Sequence, residues 1–147
     1  MSQNKVASLN PAEVDVIIAG NMLTGFADGT FVDIERDTDT FEDVSGASGE
    51  VARVMKNDKR GNITITLMQT SDDNKTLSNL HLADEASGSG TFPSLVKDNS
   101  GESFHSGGVC WIKKPAKAGY SKGVETREWT IRVAHLITHV AGNADIS

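Results

Sequence analysis

Ile63-Thr64-Ile65-Thr66-Leu67 is the stretch that decides the fold class. It is rich in β-branched residues and alternates with period two, so three apolar side chains point one way and two threonines the other. That is a strand with one face on a core. Working back from it, the polar run Asn57-Asp58-Lys59-Arg60-Gly61-Asn62 reads as a turn, and Val51 to Lys56 as a strand before that turn. The Gly/Ser loop Ser45-Gly46-Ala47-Ser48-Gly49 separates it from another strand, Phe41 to Val44. Earlier still, Asp28-Gly29 is a turn dipeptide leading into Phe31–Arg36, where Val32 and Ile34 share one face and Asp33 and Glu35 the other. Val14, Val16 and Ile18 give a first strand with one buried face.

Working forward, Ser71 is a fitting N-cap, and Asp72 and Asp73 suit the positive end of a helix dipole. Leu77, Leu80 and Ala83 recur as a narrow apolar stripe, and Ser87-Gly88-Ser89-Gly90 ends the helix. This single helix is expected to cap the open side of a sheet or barrel. The rest returns to strand: Pro93 to Val96, then Val109 to Lys113 closed by Pro115, then Thr126 to Val140. In the last stretch Trp129, Ile131 and Val133 face one side and Glu128, Thr130 and Arg132 the other. Alternation falters at His135-Leu136-Ile137, where a bulge or bend is expected. No repeat or linker divides the chain, so residues 1–147 read as a single mainly β (α+β) domain.

The chain's 147 residues suffice for a core without staples. Fourteen Lys and Arg against twenty Asp and Glu give a formal charge of −6. That balance argues against gripping nucleic acid, which needs clustered positive charge, but suits a surface that lets nucleic acid pass. The lone Cys110 excludes an intramolecular disulfide and reads as a small buried hydrophobe. Met1 to Glu13 carries no apolar core of a signal peptide, and the longest apolar run, Val16-Ile17-Ile18-Ala19, is far too short to span a bilayer. A cytoplasmic, membrane-free chain is expected, unless it leaves as part of an assembly.

No reaction class is supported. Neither Gly46–Gly49 nor Gly88–Gly90 continues into a phosphate-loop signature. His135 and His139 would lie roughly 13 Å apart in a strand at ~3.3 Å per residue, too far for one ion, and no Glu-containing zinc motif joins them. Carboxylates at i and i+2, as in Asp33 with Glu35, usually form a solvated face. Aromatic residues are few. No cofactor and no metal are expected.

Several segments taken in order resemble the tail tube family of contractile-tailed phages and related prophages. They are Phe26-Ala27-Asp28-Gly29-Thr30-Phe31, Phe41 through Val44, Gly46 through Val54 and Asn57 through Gly61. They continue with Leu67 through Ser71, Asn74 with Leu77, Ala83 through Ser87, Trp111 through Ala116 and Arg127-Glu128-Trp129. The resemblance runs from about Val14 to Val140. It implies two packed antiparallel sheets or a distorted β-barrel with one flanking helix. It further implies hexameric rings stacked into the inner tube of a tail, with sheath, baseplate or initiator, and terminator proteins as partners. It also implies a tape measure protein in the lumen and DNA that passes without specific binding. The protein would be assembled in the host cytoplasm and end in the virion tail.

On that reading the polar strand faces line the lumen: Asp33, Glu35, Thr64 and Thr66, with Glu128, Thr130 and Arg132. Six copies at −6 each carry a formal −36, which repels phosphates. Residues 39–56 have the length of a long hairpin whose tip, Ser45, Gly46, Ala47, Ser48, Gly49 and Glu50, reaches the adjacent ring. Arg53, Lys56, Lys59 and Arg60 are candidates to pair with Asp37, Asp39 and Glu42 across rings, setting register more than strength. Alternatives are a tube subunit of a prophage-derived or type VI-like secretion apparatus, a monomeric β-sandwich ligand-binding module, and a hydrolase. Size-exclusion and negative-stain imaging separate rings from a monomer.

Overall fold

The computed structural model describes residues 13–142 and the pairing of 7–8 with 145–146. Most of the Met1–Glu13 stretch read above lies outside the described residues. The elements are β1 (Ala7–Ser8), β2 (Val14–Ile18), β3 (Asn21–Met22), β4 (Val32–Arg36), β5 (Phe41–Ser45), β6 (Val51–Met55), β7 (Gly61–Met68), α1 (Asp73–Ser87), β8 (Phe92–Asp98), β9 (Phe104–Ile112), β10 (Thr126–Val133), β11 (Ile137–His139) and β12 (Asp145–Ile146). One large sheet runs β3-β2-β8-β9-β10-β7-β4, with β11 also on β9. β1 pairs with β12, and β5 with β6, as separate two-stranded ladders. Every pairing is antiparallel.

The large sheet is folded over one core. Val16, Ile18, Phe92 and Val96 from β2 and β8 belong to the same buried cluster as Ile63, Ile65, Leu67, Trp129, Ile131 and Val133 from β7 and β10. β9 joins the halves: residues 104–107 and Cys110 pair with β8, and residues 110–112 with β10, so Cys110 lies between both. The register stacks apolar residues in rows across three strands, Trp129 by Ile65 by Val32 and Ile131 by Ile63 by Ile34. Each Ile or Trp sunk in such a row contributes on the order of 1.5–3 kcal/mol. The two halves do not close on the far side: β4 and the β2–β8 pair flank a cavity of about 510 Å³ lined by Val14, Val32, Ile34, Val96 and Val140. The result is a distorted, open barrel with one helix.

Several boundaries differ from the sequence expectation. The strand at 63–67 starts two residues earlier, taking Gly61 and Asn62 out of the turn. A side chain at Gly61 would meet the Glu35 carbonyl and Leu136 Cδ2 at 2.6 Å, so glycine here lets β4 and the following chain close on β7. β9 begins at Phe104, not Val109; Gly107 and Gly108 conceal the strand signal, and Gly107 lies where a Cβ would come within 2.3 Å of Val133 Cγ1. β8 spans Phe92–Asp98 around the predicted Pro93–Val96. The helix starts at Asp73 with Asp72 as its cap, because Ser71 and Asp72 first form a turn; Ser71 Oγ still accepts the Asp73 N–H at 3.1 Å. The expected stripe fades along the helix: Leu77 is buried, Leu80 partly buried and Ala83 exposed.

The helix is anchored at its first turn. Trp129 Nε1 donates to Asn74 Oδ1 at 3.0 Å, and Thr24 and Gly25 N–H groups donate to Asp73 Oδ2 at 2.8 and 2.9 Å. The bend expected near His135 is present: β10 stops at Val133, Leu136 plugs into the core, and β11 turns away to pair with β9. His135 therefore sits in the bend and His139 in β11 stacked on Phe104, not on one strand face. Cys110 is fully buried, its thiol pushed up in pKa by burial.

Candidate assembly surfaces

The rows that bury Ile63, Ile65, Trp129 and Ile131 turn their intervening residues to the opposite face. Asp33, Thr64 and Thr130 sit side by side in the register, as do Glu35, Asn62 and Arg132, and Glu128 beside Thr66. All seven residues picked from the polar strand faces thus share one surface. Asp33, Glu35 and Glu128 are exposed; Thr64, Thr66, Thr130 and Arg132 are half-buried among neighbours. Asn62 belongs to this face and was missed, because the run 57–62 read as turn; its period-two spacing from Thr64 was the available signal. Arg132 is tied down: its guanidinium donates to Asp37 through both Nη atoms, one at 2.7 Å, and to Asn62 Oδ1 at 3.1 Å. That ion pair holds the Asp37 carboxyl below the usual carboxylate range. The face is bounded on one side by β4, whose outer edge carries no strand among the described residues. Arg36 on that strand donates twice to the Leu136 carbonyl, at 3.0 and 2.7 Å, and pins its end.

The segment expected as a long hairpin is one. β5 and β6 pair Phe41 with Met55, Asp43 with Arg53 and Ser45 with Val51 on one face, and Glu42 with Val54 and Val44 with Ala52 on the other. The tip closes through Gly46 N–H to the Glu50 carbonyl at 2.8 Å, with Gly49 at φ +87°, a backbone conformation glycine adopts without strain. All ten strand residues are exposed. Apolar side chains stand on both faces, with Val51 74% and Met55 57% exposed. A lone two-stranded ribbon is marginal in water, and this one has no sheet beneath it.

Its root is well fixed. Asp37 N–H donates to the Arg60 carbonyl at 3.0 Å and Lys56 N–H to the Thr40 carbonyl at 2.7 Å. Lys56 pairs with Glu42 at 3.2 Å, and Arg53 lies 4.3 Å over the Phe41 ring. Arg60 grips Asp58 through Nε and Nη2 at 2.9 and 2.8 Å and holds its carboxyl down to about 2. So Lys56, Arg60, Asp37 and Glu42, read as cross-ring partners, already have partners inside the chain. Asp39, Lys59 and Glu50 make no ion pair among the described residues. Also among these residues, no group of three or more His, Cys, Asp or Glu is placed to hold a metal ion, and no helix is long and apolar enough to cross a membrane.

The features of this geometry are a free strand edge, a polar face and an unsupported ribbon. The fold is shared with chains solved in cap, terminator and sheath–tube assemblies of contractile systems. It matches a chain in the cryo-EM structure of the anti-feeding prophage cap (AFP tube terminating cap) with a TM-score of 0.55 at 9% identity, over 91% of this chain and 92% of that one. It also matches chains of an extracellular contractile injection system in the extended state. With the PVC sheath/tube terminator the TM-score is 0.56 at 11% identity, covering 90% and 97%. With the PVC sheath–tube complex it is 0.55 at 11% identity, covering 91% and 93%. The chain belongs to the Bacteriophage PhiTE tail tube protein family, whose model matches residues 19–141. Structural protein ORF10 of Pseudomonas phage KPP10 is 31% identical over 151 residues, 97% of this chain and 87% of that protein. This chain is thus a tube structural protein.

Proposed function

We propose that the chain forms six-membered rings that stack into the inner tube of a phage tail, through which DNA is ejected, and that it acts without enzymatic chemistry. The observation that carries this is the β5–β6 ribbon, with apolar side chains exposed on both faces and no sheet of its own. Covering Val44, Val51, Val54 and Met55 against another copy is worth on the order of 1.5–3 kcal/mol per side chain at full burial, whereas each exposed ion pair is worth about 0–1 kcal/mol. Apolar contact therefore drives stacking, and the charges of the ribbon and its root set register. The tip from Ser45 to Glu50 orders against the adjacent ring.

Within a ring, the free β4 edge joins a neighbour, which removes the exposed backbone groups that make sheet edges hazardous. The face carrying Asp33, Glu35, Thr64, Thr66, Glu128, Thr130 and Arg132 lines the lumen, where its uncompensated carboxylates keep DNA from sticking. Sheath protein covers the outside, initiator and terminator proteins close the ends, and a tape measure protein fills the bore before ejection. The phage origin of the 31% identical relative supports a virion tail over a secretion apparatus; assembly takes place in the host cytoplasm. The test is electron microscopy of the purified chain, alone and on a tail initiator. Six-fold rings and tubes are expected, and loss of tubes on deleting residues 46–49. A chain that stays monomeric on the initiator contradicts the reading, and a deletion that leaves tube length unchanged contradicts the tip's role.

A further inference from the structure

Two exposed segments of the chain have opposite charge, one of them the β5 strand and tip of the ribbon, whose β6 side carries Arg53 and Lys56. Residues 37–50 carry Asp37, Asp39, Glu42, Asp43 and Glu50 and no basic residue; residues 113–124, the loop from β9 toward β10, carry Lys113, Lys114, Lys117 and Lys122 and no acid. Among the described residues none of the four lysines forms an ion pair, and neither do Asp39, Asp43 or Glu50. The lysine loop overhangs the end of the polar face and bounds an open cavity of about 990 Å³, with three lysines against Glu125 and Glu128 on its walls. It also presents apolar surface: Tyr120 is 82% exposed, with Arg127 5.4 Å from its ring, and Val124 is 66% exposed.

We infer that this loop is the receptor for the acidic β5 strand and tip of the β5–β6 ribbon of a second copy of the chain. The inference rests on the tube reading and adds the identity of the surface that receives the ribbon. The ribbon reaches roughly 17 Å beyond its root at ~3.3 Å per residue, far enough to leave its own subunit. It brings both kinds of group the loop lacks partners for: carboxylates for the lysines, and Val44, Val51 and Val54 for Tyr120 and Val124. Because the two surfaces differ, the contact is head-to-tail, so each copy can give its ribbon to one neighbour and receive that of another. Complementary charge of this kind selects partner and register.

A charge-swap experiment tests this. One variant carries K113E, K114E, K117E and K122E; the other carries D39K, D43K and E50K. All these positions are on the surface, and matching thermal unfolding to the unaltered chain verifies folding. Each variant alone is expected to need at least tenfold more protein to form tubes. An equimolar mixture is expected to recover, since each acidic loop then meets a basic ribbon and each basic loop an acidic one. Either variant assembling like the unaltered chain, or a mixture no better than its components, overturns the inference. If the lysine-reversed variant assembles normally but loses retention of a DNA oligonucleotide that the unaltered chain shows, the loop serves DNA and the inference also falls.

Zero-length carbodiimide cross-linking of unaltered tubes built from mixed ¹⁴N and ¹⁵N chains gives a second readout that needs no variant. Heavy–light bonds between lysines 113–122 and carboxylates 39–50 are expected. Tubes lacking those bonds sink the receptor assignment alone, whereas no tubes from the unaltered chain sinks the tube reading.

Discussion

The β7–β10 pair and the β5–β6 ribbon are built from similar residue types and end in opposite conditions. β7 alternates fully buried with half-buried positions along seven of its eight residues, and β10 buries Trp129, Ile131 and Val133 against it. The ribbon alternates nothing: every strand residue is exposed, and its valines divide between two wet faces. A strand's apolar pattern is resolved inside the chain when a second layer lies within reach, as β2 and β8 do for β7. When none does, the same apolar content becomes demand for another molecule. The first region stores the subunit's stability, and on the proposed reading the second carries its capacity to assemble.

The largest expected effect breaks the first region. Ile65→Ala, at a site with no exposure in the row with Trp129 and Val32, is expected to cost about 2–5 kcal/mol, read as a lower denaturant midpoint for the subunit. Gly107→Ala pushes a methyl toward Val133 Cγ1 and Cys110 Sγ; overpacking of this kind costs about 1–3 kcal/mol, measured in the same way. The complementary change, Val51→Ser with Val54→Ser, sharpens the comparison. It is expected to leave subunit stability within about 0.5 kcal/mol per site while abolishing or strongly slowing tube formation followed by light scattering. If both changes shifted unfolding and assembly alike, the division between the regions would be wrong.

The ribbon's root gives the smallest effect, through pH. Arg132 and Arg60 hold Asp37 and Asp58 below their ordinary value of 3.8, Asp58 at about 2. A depressed carboxyl contributes stability that is fully present above its unfolded pKa and is lost as pH falls through its folded one. The root contacts are therefore expected to persist at neutral pH and loosen between about pH 4 and 2. Asp58→Asn is expected to shift that transition modestly, followed by NMR shifts of residues 37–40 and 56–60. A root insensitive to acid would contradict the role given to these pairs.

Much of this was legible in the sequence because alternation is a direct record of two-faced burial. Ile63–Leu67, Val14–Ile18 and Thr126–Val133 have the faces their patterns dictate, and the seven polar residues between them fall on one surface. What the pattern concealed lay at glycines. Gly61 and Gly107 contribute no side chain to a periodicity count, yet each is where two strands close to contact, so β7 and β9 both looked shorter than they are. Internal pairing was also hidden: Arg132 meets Asp37 from 95 residues away, a contact that register and fold determine together and that charge spacing alone does not record. Nor does the sequence separate Val51 and Val54 from core valines, since exposure depends on what the rest of the chain fails to cover.

Amide hydrogen exchange compared between the free subunit and assembled tubes probes the division most directly. Residues 61–68 and 126–133 are expected to be protected in both, and residues 41–55 to exchange freely in the subunit and slow by at least a hundredfold in the tube. Equal protection of 41–55 in the two states would mean that the ribbon's stability does not come from another copy, contradicting the account.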